Sequence, residues 1–278
     1  MLEIALSCSG VFAPDGFDNL EEKMNLIELN RFFNSILHKE DFSSDISLNG
    51  IQIENSDPRG KEIRKVAFAV DACEASALRA KDAGADVLFV HHGLFWGHCQ
   101  TVTGTLYKRI SPFIKNDIAL CAYHIPLDAN AEVGNNFGMA ARLGIQEPRP
   151  FGKWRGMTLG AIGELSESVS VDALARMMFP DGEKPSRILP FGKKEIRRVA
   201  IISGGAGDDF DQAVRAGADA FITGEVGHEQ FHEIEESGIN VIAGGHYQTE
   251  TVGVRLMMER VSKELALETV FIDIPTGM

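Results

Sequence analysis

Apolar and polar positions along the chain fall into two blocks that repeat one another. Residues 66–90 read VAFAVDACEASALRAKDAGADVLFV, and residues 199–223 read VAIISGGAGDDFDQAVRAGADAFIT. Each opens on an apolar run of strand length and passes through a turn and a helical stretch. Each then reaches Ala-Gly-Ala-Asp, at 83–86 and 216–219, before a second apolar run. Gly84 and Gly217 stand where a helix closes on a left-handed residue. Behind each block the pattern continues in step. A helical stretch at 104–116 precedes the strand IALCAYH (118–124), and one at 227–237 precedes INVIAGGH (239–246). A further helical pattern begins at MNLIELNRFFNSILH (24–38). Between the blocks, MTLGAIGEL (157–165) has the pattern of a strand, and SVDALARMMF (170–179) that of a short helix begun by Ser170.

Strands alternating with helices predict right-handed βαβ units and mainly parallel sheets. The expected fold is α/β, with two similar lobes related by the internal repeat, residues 24–148 and 149–278. Ligands in such folds sit beyond the carboxyl ends of the strands. Residues 1–23, MLEIALSCSGVFAPDGFDNLEEK, lack the positive start of an export signal, and their apolar run is short and interrupted. They are expected to be a disordered extension or an artefact of start-site choice.

The strand ends carry the candidate chemistry. FVHHGLFW (89–96) runs from buried apolar residues into His91 and His92. Adjacent side chains on a strand point to opposite faces, but at its last residues both can lean over the edge. His124 is followed four residues later by Asp128, and His246 by Glu250, each where a strand gives way to a helix. Glu225 lies nearby in TGEVGHE. Imidazoles and carboxylates without thiolate suit zinc, iron, manganese or cobalt. A carboxylate with two oxygens, Asp128 or Glu250, can bridge a pair of ions. A single histidine after a strand is more often a hydrogen-bonded loop residue; the matched delivery from two halves favours the metal.

Other signals carry less. SGGAGDDFD (203–211) could cradle a phosphate, but Asp208 and Asp209 would repel one, and a tight turn with an aspartate N-cap is the simpler expectation. His98 and Cys99 fit a surface loop, and His228 and His232 a solvated helix face. Trp96 and Trp154 fit packing or interface roles. Leu94, Phe95 and Trp96 are candidates for apolar surface buried between subunits.

Composition narrows the classes. The net charge of −13 over 278 residues disfavours nucleic acid as a partner. No apolar run approaches the roughly 18 residues of a membrane span. Cys8, Cys73, Cys99 and Cys121 form no C-x-x-C pair, which fits reduced thiols and a cytoplasmic protein.

At these residues the sequence resembles the GTP cyclohydrolase I type 2 homologues, the YbgI-like di-metal proteins related to yeast Nif-three. The matching pieces are NGIQIEN (49–55), AVDAC (69–73), GADVLFVHHGLFW (84–96), YHIPLDA (123–129), ISGGAG (202–207), DAFITGEVGH (219–228) and AGGHYQTE (243–250). The resemblance implies a metal pair held by His91, His92, Asp128, His246 and Glu250. It also implies two Rossmann-like lobes and a toroidal homohexamer. His124 and Glu225 match polar positions near the pocket. The leading expectation is a metal-dependent hydrolase acting on a nucleotide-like or heterocyclic small molecule, with two divalent ions per chain and His124 or Glu225 moving a proton. The alternative is a metal-holding, ring-shaped binding or scaffold protein without turnover. A phosphoesterase ranks last, because no signature of one is present.

Overall fold

The computed structural model describes residues 23–278. The sequence-based expectation for the amino-terminal extension falls almost wholly on residues outside that range. Two sheets organise the chain. The first contains β1 (Gly50–Ile53), β2 (Lys65–Asp71), β3 (Val87–His92) and β4 (Ala119–Ala122), in the order β1-β4-β3-β2. β2, β3 and β4 are parallel, and β1 runs antiparallel against β4. Helix α1 (Leu26–Leu37) precedes them. Asn25 caps it by accepting from the Glu28 N–H while Glu28 returns the bond to the Asn25 N–H, which satisfies two otherwise orphaned donors. Helices α2 (Glu74–Asp82) and α3 (Gly104–Lys115) supply the crossovers between the parallel strands.

The second sheet contains β5 (Gln146–Trp154), β6 (Met157–Val169), β7 (Arg187–Pro190), β8 (Ile196–Ile201), β9 (Ala220–Thr223) and β10 (Asn240–Ala243), in the order β5-β6-β8-β9-β10-β7. Only β8, β9 and β10 run parallel; the other three pairings are antiparallel. The expectation of mainly parallel sheets therefore fails here, because β5 and β6 form a hairpin and β7 returns along an edge. The architecture is a mixed α/β fold.

Residues 66–90 and 199–223 make matching hydrogen bonds. The Asp86 carboxylate accepts from the N–H groups of Arg64 and Lys65, and Asp219 accepts from those of Arg197 and Arg198. The Ala85 N–H donates to Ala80 O, and the Ala218 N–H to Ala213 O. Gly84 and Gly217 have φ of 68° and 71°, the left-handed values their positions require.

Two connections join the sheets. After β4 the chain passes through α4 (Ile125–Ala129) and α5 (Asn135–Arg142) into β5. After β10 it enters the long helix α9 (His246–Leu265), then β11 (Glu268–Phe271), which pairs in parallel with β2 of the first sheet. The three α-helices between them are α6 (Val171–Met178), α7 (Phe210–Arg215) and α8 (Phe231–Ser237). Sheet membership thus departs from a division into 24–148 and 149–278, since the last strand completes the first sheet.

Beneath the end of β3, Phe89 packs against Phe33 and Tyr123, with ring centroids 4.8 Å and 5.8 Å away. All three are fully buried, each worth roughly 1.5–3 kcal/mol of burial. This packing fixes the strand that carries His91 and His92. Leu94 is buried in the core and Phe95 packs against it, so Leu94 contributes nothing to a surface between subunits. Among the described residues no helix is long and apolar enough to cross a membrane.

Candidate metal centre

The carboxyl ends of β3, β4 and β10 converge on one cleft of about 840 Å³. His91 and His92 close β3, His124 follows β4, and His246 opens α9 with Glu250 one turn further on. The i, i+4 spacing puts His246 and Glu250 on one helix face. The His246 Nε2 lies 3.1 Å from Glu250 Oε1.

Each of the four imidazoles is held at Nδ1 by a different acceptor. His91 Nδ1 meets Tyr123 O at 3.1 Å, and His92 Nδ1 meets Asp71 Oδ1 at 2.8 Å. His124 Nδ1 meets Asp45 Oδ1 at 3.0 Å, and His246 Nδ1 meets Glu225 Oε1 at 2.9 Å. An oxygen acceptor at Nδ1 receives a hydrogen bond from the Nδ1–H, keeps the proton on that nitrogen and leaves Nε2 with the free lone pair, the arrangement found at metal-binding histidines. Three overlapping groups result, each with donor atoms within 4.8 Å of one another: His91, Asp128 and Glu250; His92, His246 and Glu250; and His91, His92 and His124.

Glu250 is the carboxylate shared by the first two of these groups. Its Oε1 lies 3.5 Å from His91 Nε2, and its Oε2 lies 3.3 Å from His92 Nε2. Asp128 is differently placed. Its Oδ1 accepts from Asn135 Nδ2 at 2.8 Å and Ser203 Oγ at 2.9 Å, and its Oδ2 lies 3.5 Å from His91 Nε2. Glu250 therefore offers both oxygens to the cluster, whereas Asp128 offers one.

The donor set fits a cation. His91 is fully buried, and Asp128 and Glu250 are only 7% and 3% exposed. His91 Nε2 and Glu250 Oε2 are buried with no hydrogen-bond partner. Contacts of 3.3–3.5 Å are too long to satisfy them. Burial alone would lower the His91 pKa, but the charges of Asp128 and Glu250 outweigh it and push it up to about 10. Burial also opposes the rise at His246, where Glu250 and Glu225 raise it to about 9. At Glu250 burial acts upward, and His92, His91 and His246 hold the carboxyl well below the usual range. Without a metal, the positive charge facing these carboxylates comes from the imidazoles, whose pKa values are raised at His91 and His246. Divalent ions would supply that positive charge through direct bonds.

All seven residues singled out in the sequence as ligands or proton carriers reach this cluster. Glu225 meets the Nδ1 edge of His246, the edge opposite the one facing Glu250. Asp71 and Asp45, which hold His92 and His124, are not marked by the sequence reading. Asp71 ends β2 beside His92 in the parallel register, a signal available once β2 and β3 are paired. Asp45 lies in the connection between α1 and β1 and has no motif to mark it. Of the weaker signals, Asp209 precedes α7 but makes no side-chain cap bond, so its expected N-cap role fails. His98, Cys99 and His232 are exposed, as expected; His228 is exposed too, but it lies before α8 and not on a helix face.

The family model described as Duf34/NIF3 (NGG1p interacting factor 3) matches residues 24–277. A Treponema pallidum protein named GTP cyclohydrolase 1 type 2 homolog is 43% identical, covering 92% of this chain and all of its own. The Escherichia coli protein of the same name is 37% identical over 91% of this chain and 99% of its own. Among solved structures, TTHA1606 from Thermus thermophilus superposes with a TM-score of 0.83 at 36% identity, covering 92% of this chain and all of that one. Reduced HcgD from Methanocaldococcus jannaschii gives 0.80 at 25% identity, over 91% of this chain and 99% of that one. With the family match spanning nearly all described residues, the chain belongs to the Duf34/NIF3 family.

Proposed function

We propose that the chain holds two divalent transition-metal ions and hydrolyses a nucleotide-like or heterocyclic small molecule. The observation that carries the reading is Glu250, whose two oxygens face different imidazoles, each anchored at Nδ1. One ion would be held by His91, Asp128 and Glu250, and the other by His92, His246 and Glu250. Zinc, iron and manganese all suit these donors. The ions would supply Lewis acidity and a water that ionises near neutral pH. The matched halves of the chain support the internal repeat as the origin of this site, with the cleft between two Rossmann-like lobes as its place.

His124 is the proton carrier in this reading. Asp45 fixes its ring through Nδ1 and is itself held by Ser47 N, Asn49 Nδ2 and Ile125 N. Burial acts to raise the Asp45 pKa, but the hydrogen bond and charge of His124, together with the bonds from Asn49 and the Ser47 N–H, outweigh it and lower the pKa. His124 Nε2 is thereby left to take or give a proton in the cleft. Glu225 orients His246 rather than carrying a proton itself.

A cytoplasmic ring of six copies belongs to the same proposal. Apolar surface on α2 and α3, at Leu78, Tyr107 and Ile114, supports burial between copies in place of Leu94. The test is elemental analysis of chelator-free protein, followed by assay of the loaded protein against a panel of nucleotides and free heterocycles. Two ions per chain with hydrolysis of any panel member supports the proposal. One ion or none overturns the metal pair, and two ions without hydrolysis favours the scaffold. Light scattering that returns the 30.4 kDa monomer overturns the ring.

A further inference from the structure

Both tryptophans of the chain, Trp96 and Trp154, line the cleft that holds the histidine cluster. They come from different sheets. Trp96 follows β3; its indole N–H donates to Gly93 O at 3.1 Å, and its ring stands edge-on to His124 with centroids 5.0 Å apart. Trp154 ends β5 at a two-residue hairpin in which Arg155 and Gly156 both have positive φ, 49° and 84°. That turn sets the direction in which the hairpin presents its last side chains. The Arg155 guanidinium covers the Trp154 ring at 4.4 Å from its centroid. Ile125, Leu159 and Ile202 add apolar wall to the same cleft.

Charge in the cleft is unevenly used. Asp71 and the metal-facing carboxylates meet imidazoles, while Asp208 and Asp209 accept from Gln230 and Gln212. Arg109, on α3, is the single Lys or Arg lining the cleft, and among the described residues no carboxylate pairs with it. A guanidinium left over at the rim of a cleft with aromatic walls has a specific complement. Aromatic side chains stack on any flat ring, largely regardless of its substituents. Arginine pairs with phosphate through two parallel N–H bonds. The cleft volume, about 840 Å³, suits a ligand of nucleotide size.

Resting on the metal-centre proposal for what happens to the ligand afterwards, we infer that Trp96 and Trp154 stack a planar heterocycle and that Arg109 pairs with a phosphate it carries. Substrate choice then lies in these three residues, while the histidine cluster decides only what reacts. A sugar phosphate lacking the ring has nothing to stack, and a free nucleoside has nothing for Arg109.

Because both indoles lie in the cleft, their fluorescence reports on it directly. Purified protein is titrated with guanosine 5′-monophosphate, guanosine and ribose 5-phosphate, and metal content is measured for every sample. The expected result is saturable quenching by the nucleotide and the nucleoside but not by the sugar phosphate. Arg109→Ala should weaken the nucleotide about tenfold and leave the nucleoside unchanged. Trp154→Ala should weaken both about tenfold, the size of one lost stack, and Trp154→Phe should restore most of it. No saturable quenching in metal-loaded wild-type protein overturns the inference, as does equal quenching by ribose 5-phosphate. It is also overturned if Arg109→Ala weakens nucleoside and nucleotide alike, or if Trp154→Ala changes neither. Ring-dependent quenching in protein that carries no metal keeps this inference and defeats the metal-centre proposal, so the two fail separately.

Discussion

Asp71 and His92 are cross-strand partners in the β2–β3 ladder, and Asp71 Oδ1 holds His92 Nδ1 at 2.8 Å. One carboxylate thus fixes both the ring orientation and the tautomer that leaves Nε2 toward Glu250. Asp71→Ala should lower metal affinity about 10- to 100-fold without removing a ligand. Competition against a chromophoric chelator measures this, and unchanged affinity would show that the backbone alone positions the ring.

Glu250 and the two adjacent histidines should differ in their loss. His91→Ala should empty mainly the site shared with Asp128, and His92→Ala the site shared with His246. Each variant should retain about one ion per chain, while Glu250→Gln, which weakens both sites, should retain less than either. Metal analysis beside thermal melts decides it. Two ions in both histidine variants would make the imidazoles structural.

Gly204 has a φ of 67°, and a methyl there would collide with Glu250 Oε1 and lie 3.2 Å from His246 Nε2. Gly204→Ala should therefore lose metal as well as about 1 kcal/mol of stability from backbone strain. Gly84→Ala is the control, with a φ of 68° but nothing within 4 Å of the new methyl. It should show the strain and keep its metal. Equal metal content in the two variants would refute the crowding.

Asp219 predicts the form of the acid limb. Burial acts to raise its pKa, but the N–H groups of Arg198 and Arg197 and the Lys193 ammonium outweigh it and lower it below 3.8. Its stabilisation is therefore complete above that unfolded-state value and is lost as pH falls through the depressed folded one. Asp219→Ala should cost about 2 kcal/mol at pH 7, and the gap should close in strong acid. Urea midpoints at the two pH values test this; a gap independent of pH would assign the cost to packing.

The two H-x-x-x-carboxylate spacings are legible in the sequence because a helix start imposes them locally. His91 and His92 are legible because an apolar strand rarely ends on two imidazoles. What holds those rings is not. Asp71 reaches His92 only through the strand register, Asp45 reaches His124 from a distant loop, and the acceptor for His91 is a backbone carbonyl that any residue at position 123 would supply. Strand β11 escapes the sequence reading because four residues at a sheet edge leave little periodicity after a long helix. The tryptophans read as packing or interface residues because composition cannot distinguish an indole in a core from one in a cleft wall.

The chain passes between its sheets twice, through α4–α5 and through α9, and each passage begins on a histidine–carboxylate pair, His124 with Asp128 and His246 with Glu250. Asp128, His246 and Glu250, which would grip the ions, are therefore also joints of the scaffold. Any relative movement of the sheets must be transmitted through them, and ions bound there would act as rivets across both joints. Loading the centre and stiffening the protein then become one thermodynamic event, with the free energy of binding appearing as resistance to opening of the cleft.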